Sequence, residues 1–444
     1  MAVTEPGPTG ATGPTPAATT GAGPIGATGA GGRLFAGAAV VDITPSVGGS
    51  LAGFAARRSP SAGVHDPLLG TAVAVSDGVT TSVVICADLI ALDPDTTRRI
   101  ARDLHERTGI PEERVAVAVT HTHAGPAVTR GGIGGVADPA YVEDACARLV
   151  GVAVTALGRL APAVLRRGCG ELHGVAHNRR GGVLTDPAVP LLRLEREDGE
   201  PVATVFSHAC HPVTLGPDNL RLTADWPGYA RRHVESAIGG VAMFLQGCCG
   251  QLNTGHSAHD SLRGTGPDPG RTFEAAHRIG TQVAEAALAA GTEPVTGPVS
   301  VTATRVELPL GDPLPPGELR ALADEDGGLW TGWALAQLDD PGPATVAVQV
   351  AVHRWGGVPL VFLPCEPFVE LALELRAALG DPGLLVAGYT GGVPGYLPYP
   401  ETHYDAGGYE IQEAHRAYGL RAAFTPDAGR LVLAAATSLA GEGA

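Results

Sequence analysis

From residue 33 onward, the chain alternates short apolar runs with amphipathic stretches of helical spacing, and this alternation limits the folds open to it. The apolar runs are about five to eight residues long and are bounded by Gly, Pro or Asp, which is typical of buried strands. Interleaved helices favour sheets whose faces are covered. The sequence therefore predicts an α/β fold in which central mixed β-sheets are covered by helices.

The same pattern places the individual elements along the chain. Strands are predicted at 36–43, 71–77, 81–90, 115–119, 189–195, 201–209, 241–247, 299–310, 345–355, 358–365 and 384–390. Helices are predicted at 96–108 and near 142–157, 227–237, 271–290, 367–379 and 427–439. The Gly-, Pro-, Ala- and Thr-rich residues 1–32 are predicted to be a disordered tail. Residues 33–444 are predicted to be a single domain, with an insertion or linker at 311–344.

Composition excludes several functions. The 30 basic and 46 acidic residues give a net charge of -16, which is the wrong sign for holding nucleic acid through its phosphates. All of the basic residues are Arg. The absence of Lys rules out Walker-type phosphate lysines, Schiff-base lysines and Ser-Lys dyads.

Sequence signals for targeting and for disulfides are missing. The N-terminal residues MAVTEPGPTG lack the positive flank and apolar core of a secretory signal, and no stretch reaches about 18 uninterrupted apolar residues. We therefore expect a cytoplasmic protein without a stable membrane anchor, whose oligomeric state the sequence leaves open. The 7 cysteines are odd in number and lack CxxC spacing, so we expect reduced and mostly buried thiols.

Two histidine clusters follow predicted strands. His121 and His123 come directly after the apolar run 115–119, and strand geometry puts residues i and i+2 on one face. His208 and His211 lie at the end of a later predicted strand. The HxH pair at the end of a buried strand favours a metal or catalytic site, with surface histidines as the alternative. The second cluster strengthens this interpretation, because zinc takes imidazole ligands from distant segments. The residues themselves do not decide between His208 and His211.

A carboxylate and a group of tyrosines complete the candidate residues. Glu366 interrupts an apolar strand just where a helix is predicted to begin, so it either favours the helix N-terminus or serves a site. The span 388–410 is unusually dense in Gly and Tyr for a linker. The chain has no GxSxG or HExxH motif, no GxGxxG after a strand and no EF-hand loop.

At these positions the sequence resembles the neutral/alkaline non-lysosomal ceramidase family, zinc amidases that cleave the N-acyl bond of ceramide. The similar segments are Asp42–Pro45, Gly63–Leu68, Thr120–Pro126, Asn178 with Arg179, Cys210–Pro212, Phe244–Gly247 with Gly250, Glu366, and Gly395 with Tyr396. The resemblance runs from about residue 33 to residue 437 and covers the N-terminal catalytic domain of the family. It therefore implies that residues 33–444 are a single catalytic domain with that fold.

The resemblance also implies a cofactor and a set of site residues. The implied ligands of Zn²⁺ are His121, His211, Glu366 and Tyr396. The implied residues around the reaction centre are His123 as proton acceptor, and Arg179 and Tyr409 as oxyanion donors. Four protein ligands with room for a water or substrate oxygen suit metal-assisted hydrolysis. The implied activity is cleavage of an N-acyl amide bond in a small molecule by metal-activated water.

The sequence departs from the family at Asn253, which stands where the family has a serine in a Gly-x-x-Ser-Pro-Asn segment. We count Asn253 among the predicted catalytic residues, but the exchange argues against any mechanism that needs the serine hydroxyl. Two alternatives to hydrolysis are open, the first motivated by the missing secretory signal and the second by the lost serine. One is zinc-dependent acyl transfer, amide formation or cyclisation in small-molecule biosynthesis. The other is a non-catalytic lipid or metabolite binder.

Overall fold

The computed structural model describes residues 33–131, 133–264, 268–325 and 327–442. Residues 1–32, for which a disordered tail is predicted, lie outside the described residues. The strands are β1 (Leu34–Asp42), β2 (Gly63–Val64), β3 (Leu69–Ser76), β4 (Thr81–Ala87), β5 (Val115–Val119), β6 (Ala161–Glu171), β7 (His177–Asn178), β8 (Ala188–Glu195), β9 (Pro201–His208), β10 (Arg221–Leu222), β11 (Val241–Gln246), β12 (Leu252–Asn253), β13 (Thr292–Val295), β14 (Ser300–Pro309), β15 (Thr345–Trp355), β16 (Val358–Phe362), β17 (Glu366–Pro367), β18 (Leu385–Ala387) and β19 (Tyr396–Leu397). The helices are α1 (Pro94–Thr108), α2 (Pro139–Gly158), α3 (Asp225–Ile238), α4 (Ala258–Arg263), α5 (Phe273–Ala289), α6 (Pro316–Ala323), α7 (Thr331–Asp339), α8 (Val369–Leu379), α9 (Thr402–Asp405), α10 (Tyr409–Gln412), α11 (Ala414–Ala417) and α12 (Pro426–Gly441).

The main sheet of the described residues contains nine strands in the order β11-β9-β8-β6-β1-β3-β4-β5, with β13 paired to β6. Most neighbours run antiparallel, but β5 pairs with β4, and β11 with β9, in parallel. A second sheet has the order β14-β15-β16-β18 and is likewise mixed, because β16 and β18 are parallel. Both sheets are therefore of the mixed kind that the sequence predicts.

The two sheets pack face to face, and helices cover their outer faces. Val84 and Val205 of the main sheet share one apolar cluster with Trp355 and Phe362 of the second sheet. Helices α1 and α2 cover the β1-β3-β4-β5 half of the main sheet, and α3 and α5 cover the β8-β9-β11 half. Helices α8 and α12 cover the second sheet. The layers follow the order helices, sheet, sheet, helices.

Side-chain alternation in the strands accounts for these layers. In β3, Val73 and Val75 lie in the cluster between the sheets, whereas Ala72 and Ala74 lie in the cluster under the helices. Successive residues of a strand point to opposite faces, so one run of valine and alanine supplies both layers. The small alanines leave room for a helix to approach the sheet. The predicted α/β fold with covered mixed sheets is confirmed.

Two regions differ in detail from the sequence expectations. Strand β6 was not among the predicted strands, because Arg166 and Arg167 interrupt its apolar pattern, yet it pairs with β1, β8 and β13. The span 311–344 contains α6 and α7, which pack together through Leu319, Trp333 and Ala334. The predicted domain boundaries stay a prediction. Within the described part of the chain, no helix is long and apolar enough to cross a membrane.

Trp355 provides a test of the contact between the sheets. Its side chain is fully buried, and its Nε1 donates a hydrogen bond of 2.8 Å to Oγ of Ser82 on the main sheet. Trp355→Ala is expected to lower the free energy of unfolding by about 3–5 kcal/mol, measured by denaturant titration. Val79→Ala, at a position that is 84% exposed, is the control and is expected to change it by about 0.5 kcal/mol or less. Equal effects of the two substitutions would contradict the proposed packing.

Candidate metal centre

His121 lies two residues after β5 and is held by the loop that follows β4. Its backbone has a φ of 66°, in the left-handed region, and its N–H donates to the carbonyl of Leu89 at 2.9 Å. Its ring Nδ1 is 2.5 Å from the carbonyl of Ile90. Because a carbonyl oxygen only accepts hydrogen bonds, Nδ1 carries the ring proton and Nε2 of the neutral ring is an acceptor.

His123 and His211 are fixed in the same way as His121. Nδ1 of His123 donates to the carbonyl of Gly53 at 3.0 Å. Nδ1 of His211 donates to the carbonyls of Cys249 at 2.7 Å and Leu252 at 3.0 Å. In its neutral form, each of the three imidazoles therefore presents an unprotonated Nε2. Backbone carbonyls on Nδ1 are the usual outer partners of metal-binding histidines, since they fix both tautomer and ring orientation.

Glu366 and Tyr396 are brought together by the pairing of two short strands. In the parallel pair β17 and β19, Glu366 is the register partner of Tyr396, and the Glu366 N–H donates to the carbonyl of Gly395 at 2.9 Å. Both side chains line the same small cavity as His121 and His123. The segment after β16 thus carries a buried carboxylate rather than a simple helix-capping acid.

The acceptor atoms of these side chains converge on one point. Oε2 of Glu366 is 2.9 Å from Nε2 of His211 and 3.2 Å from Nε2 of His121. Nε2 of His123 is 3.2 Å from Nε2 of His121. The three imidazoles each offer a ligand atom, and these atoms lie within 4.8 Å of one another. All four side chains are buried or nearly so.

Electrostatics makes this convergence unfavourable without a cation. Burial, together with the His121 and His211 rings, holds the pKa of His123 well below its usual value. Burial also lowers the pKa of His211 to about 4, although Glu366 opposes this shift. Both rings are therefore neutral near pH 7, so their lone pairs face each other and the Glu366 carboxylate without a proton between them. Buried acceptors of this kind need a positive partner.

The donor set and its spacing fit zinc. Zinc in proteins takes imidazole nitrogen and carboxylate oxygen at about 2.0–2.2 Å in a tetrahedral arrangement, which puts neighbouring ligand atoms roughly 3.3 Å apart. The separations of 2.9 and 3.2 Å between Glu366 and the two histidines are close to this value. The structure also brings His123 within reach of the same point, so His123 is geometrically able to be a ligand as well as a proton acceptor.

Arg179 lies beside this centre, bound to a buried carboxylate. Its Nε donates to Oε1 of Glu410 at 2.8 Å, and its Nη2 donates to the carbonyl of Gly250 at 2.9 Å and to the hydroxyl of Tyr396 at 3.0 Å. None of these three bonds involves Nη1. Arg179 also lines the cavity. Its guanidinium carbon lies 6.0 Å from the ring centroid of Tyr409, which lines the cavity too. Burial raises the pKa of Tyr409, so its phenol stays protonated and able to donate.

The structure does not bring the Asn253 side chain into the cavity. Its Nδ2 donates to the carbonyl of His256 at 2.6 Å, and its Oδ1 accepts from the N–H groups of Gly255 at 2.8 Å and His256 at 3.1 Å. These bonds close the loop that follows β12. Asn253 is not among the described residues that line the cavity. Its predicted catalytic role stays a prediction.

Sequence reasoning did not single out two tyrosines that contact Glu366. The Tyr389 hydroxyl donates to Oε2 at 3.3 Å, and the Tyr418 hydroxyl donates to Oε1. Tyr389 also has a left-handed backbone, with a φ of 55°, and its hydroxyl is 3.1 Å from Sγ of Cys249. The density of tyrosines in this part of the sequence was the available signal, but nothing in their spacing marks which hydroxyls reach the carboxylate.

His208 and His211 take different places although they are three residues apart. Nδ1 of His208 is 3.4 Å from the carbonyl of Ala188, and its ring lies against Trp226 with a centroid distance of 6.4 Å. His208 is not part of the imidazole cluster. The choice that the residues alone left open therefore falls on His211 in the structure.

The cavity itself is small. It encloses about 20 Å³, which is room for about one water molecule. Its described lining residues are Gly53, Ile90, His121, His123, Ile133, Arg179, Ala258, Glu366, Tyr396, Tyr409 and Tyr418. The lining combines imidazole and carboxylate acceptors with the Arg179 guanidinium and tyrosine hydroxyls, so it is suited to hold a cation next to a developing negative charge.

Comparisons with known proteins relate this chain to ceramidases by sequence model and by fold. Residues 35–255 match the sequence model of the family described as neutral/alkaline non-lysosomal ceramidase, N-terminal. The fold is similar to that of neutral ceramidase from Pseudomonas aeruginosa, with a TM-score of 0.72 and 20% identity over 93% of this chain and 75% of that chain. It is also similar to a ceramidase complexed with C2, with a TM-score of 0.70 and 19% identity over 92% and 75% of the two chains. No curated protein sequence matches this chain significantly.

The two neighbouring histidines provide a test of the metal centre. His211→Ala removes an acceptor from the cluster and is expected to reduce bound zinc from about one ion per chain to near zero, measured by elemental analysis after gel filtration. His208→Ala is the matched control, since it removes a buried imidazole outside the cluster, and it is expected to keep the zinc. Retention of zinc by His211→Ala, or its loss from a folded His208→Ala protein, would contradict the assignment.

Proposed function

We propose, from the premise that this chain belongs to the neutral/alkaline non-lysosomal ceramidase family, that it is a zinc-dependent hydrolase of N-acyl amide bonds. The observation that supports it most is the convergence of Nε2 of His121, Nε2 of His211 and Oε2 of Glu366, next to a small cavity that Arg179 lines. His121, His211, Glu366 and Tyr396 would hold the ion. Bound zinc supplies a Lewis acid that polarises a carbonyl and lowers the pKa of water.

Arg179 and Tyr409 are proposed to stabilise the oxyanion that forms when the amide carbonyl is attacked. The Glu410 carboxylate and the Gly250 carbonyl orient the Arg179 guanidinium through Nε and Nη2, and Nη1 would be its donor to the oxyanion. The protonated Tyr409 phenol supplies a second donor. Donors that are fixed before the reaction need no reorganisation as charge develops, and removing one typically costs about a hundredfold or more in rate.

His123 is proposed to move the proton. Its Nδ1 is committed to the Gly53 carbonyl, so its neutral Nε2 is free to accept a proton from the attacking water. The resulting imidazolium then donates that proton to the nitrogen of the leaving amine. The protein therefore returns to its starting protonation state after each hydrolysis.

Attack by water is favoured over attack by a side chain. The described lining of the cavity contains no Ser, Thr or Cys side chain. The side-chain amide of Asn253, at the position of the family's serine, forms hydrogen bonds within its own loop. We therefore propose that no acyl-enzyme intermediate forms. Acyl transfer between an N-acyl donor and an amine could use the same residues, since an amine would then replace water as the nucleophile.

The substrate class is proposed from the family and from one of the similar structures. One similar structure is a ceramidase complexed with C2. We propose that this chain likewise acts on a small N-acylated amine, with a lipid amide as the first candidate. The expected cytoplasmic location stays a prediction.

Turnover of N-acyl amides provides the direct test of the function. Purified zinc-loaded protein is incubated with N-acylated sphingoid amines of short and long acyl chain, and both products are quantified by mass spectrometry. We expect equal amounts of free acid and amine, and loss of both after chelation or in Glu366→Gln. Formation of new amides from added acid and amine, without net hydrolysis, would favour acyl transfer. Binding without any turnover would contradict both and favour the non-catalytic alternative.

His123→Gln separates a proton acceptor from a zinc ligand. The substitution is expected to leave about one zinc per chain but to lower kcat by about 10²- to 10⁴-fold, because general acid–base catalysis is lost. His173→Gln, which changes an exposed histidine bound to Glu171, serves as the control with unchanged kcat. Loss of zinc from His123→Gln would instead make His123 a ligand.

A further inference from the structure

The two oxygens of the Glu366 carboxylate have different surroundings. Oε2 faces Nε2 of His211 at 2.9 Å and Nε2 of His121 at 3.2 Å. Oε2 also accepts a hydrogen bond of 3.3 Å from the Tyr389 hydroxyl, whereas Oε1 accepts one from the Tyr418 hydroxyl. The oxygen that faces the imidazoles is therefore distinct from the oxygen that Tyr418 holds.

This difference matters for the number of ligands around an ion. A carboxylate is able to bind a metal through one oxygen or through both. A zinc site that reacts with a substrate needs a position that no protein atom fills. A second oxygen from Glu366 would occupy that position. A hydroxyl that donates to Oε1 disfavours this, because it competes with the ion for that oxygen and fixes the orientation of the carboxylate.

Contacts of both its ring and its backbone hold Tyr418 in place. Its ring meets the Tyr396 ring edge to face, with centroids 6.3 Å apart and planes at 89°. Its backbone lies directly against Gly131, where an added Cβ would come within 2.7 Å of the Tyr418 carbonyl carbon. The close approach of two backbones requires glycine at that position.

Helix α7 supports the same segment from the other side. Nε1 of Trp333 donates to the carbonyl of Leu420 at 2.9 Å, and Nε2 of Gln337 is 3.4 Å from the carbonyl of Gly419. The Trp333 ring also packs edge to face on His415, with centroids 5.6 Å apart. The helical pair within 311–344 thus contacts the chain on both sides of Tyr418, although it lies outside the cavity.

We propose that Tyr418 is a positioning residue of the metal centre, which holds Oε1 of Glu366 so that only Oε2 faces the ion. The inference rests on the proposed metal site and deepens it. The Tyr418 phenol acts through Glu366 and does not itself bind the ion. The coordination position that it protects is the one that a substrate carbonyl or water would use.

Metal binding by Tyr418→Phe tests this inference without any substrate. The metal-free protein is titrated with Zn²⁺ against a competing chelator, and the visible absorption of the Co²⁺-loaded protein is recorded. Loss of an outer hydrogen bond is expected to weaken zinc binding by about 10- to 100-fold. The Co²⁺ bands are expected to lose intensity, because a second carboxylate oxygen raises the coordination number and higher-coordinate Co²⁺ absorbs more weakly. Phenylalanine keeps the ring that packs on Tyr396.

Tyr399→Phe is the matched control. The Tyr399 hydroxyl donates to Oε2 of Glu374 at 2.8 Å, so the variant loses the same kind of bond away from the cavity, and its metal affinity and spectrum should match the wild type. A Co²⁺ spectrum of Tyr418→Phe identical to that of the wild type would overturn the inference while leaving the metal site intact. A wild-type protein that binds neither Zn²⁺ nor Co²⁺ would overturn the metal site of the proposed function itself.

Discussion

A group of hydrogen-bond acceptors that face one another in a small buried site is the constraint on which the site depends. The Nδ1 atoms of His121, His123 and His211 are all committed to backbone carbonyls, so their Nε2 atoms turn inward beside the Glu366 carboxylate. Such an arrangement is costly in low dielectric unless a cation neutralises it. The surrounding structure must therefore hold these side chains in place against their mutual repulsion.

The backbone of the site is itself strained. His121, Cys365 and Tyr389 have φ values of 66°, 67° and 55°, a region that costs about 1–3 kcal/mol for a residue with a side chain. These residues sit in loops whose N–H groups bond to the carbonyls of neighbouring loops, as in the bond from Tyr389 to the carbonyl of Cys365 at 3.1 Å. The packing of two sheets between helices supplies the rigidity that keeps such a backbone in place.

The fold and part of the site were predictable from sequence because both follow periodic or local patterns. Alternating valine and alanine marked the strands, and the HxH pair after β5 marked the site. The two histidines lie close together, but not because they alternate along a strand as expected. Strand β5 ends at Val119, and His121 has a left-handed backbone conformation. Strand β6 was not predicted because Arg166 and Arg167 interrupt its apolar sequence pattern.

The contacts of individual polar side chains were not predictable in this way. The contact of the Tyr418 hydroxyl with Glu366 depends on how α7 and the loop around Gly131 place Tyr418, and no sequence spacing encodes that placement. The sequence shows Asn253 at the position of the family's serine, but it does not predict that the side-chain amide bonds within its own loop. The hydrogen bond between Arg179 and Glu410 also depends on the tertiary fold, since 231 residues separate the two in sequence.

X-ray absorption spectroscopy of the zinc-loaded protein tests the central claim most directly, because it reports which atoms surround the ion. We predict a shell of nitrogen and oxygen alone at about 2.0–2.2 Å, with the outer scattering of at least two imidazole rings. A sulfur neighbour at about 2.3 Å, which would bring in a thiol such as Cys249, or a shell without imidazole would contradict the account.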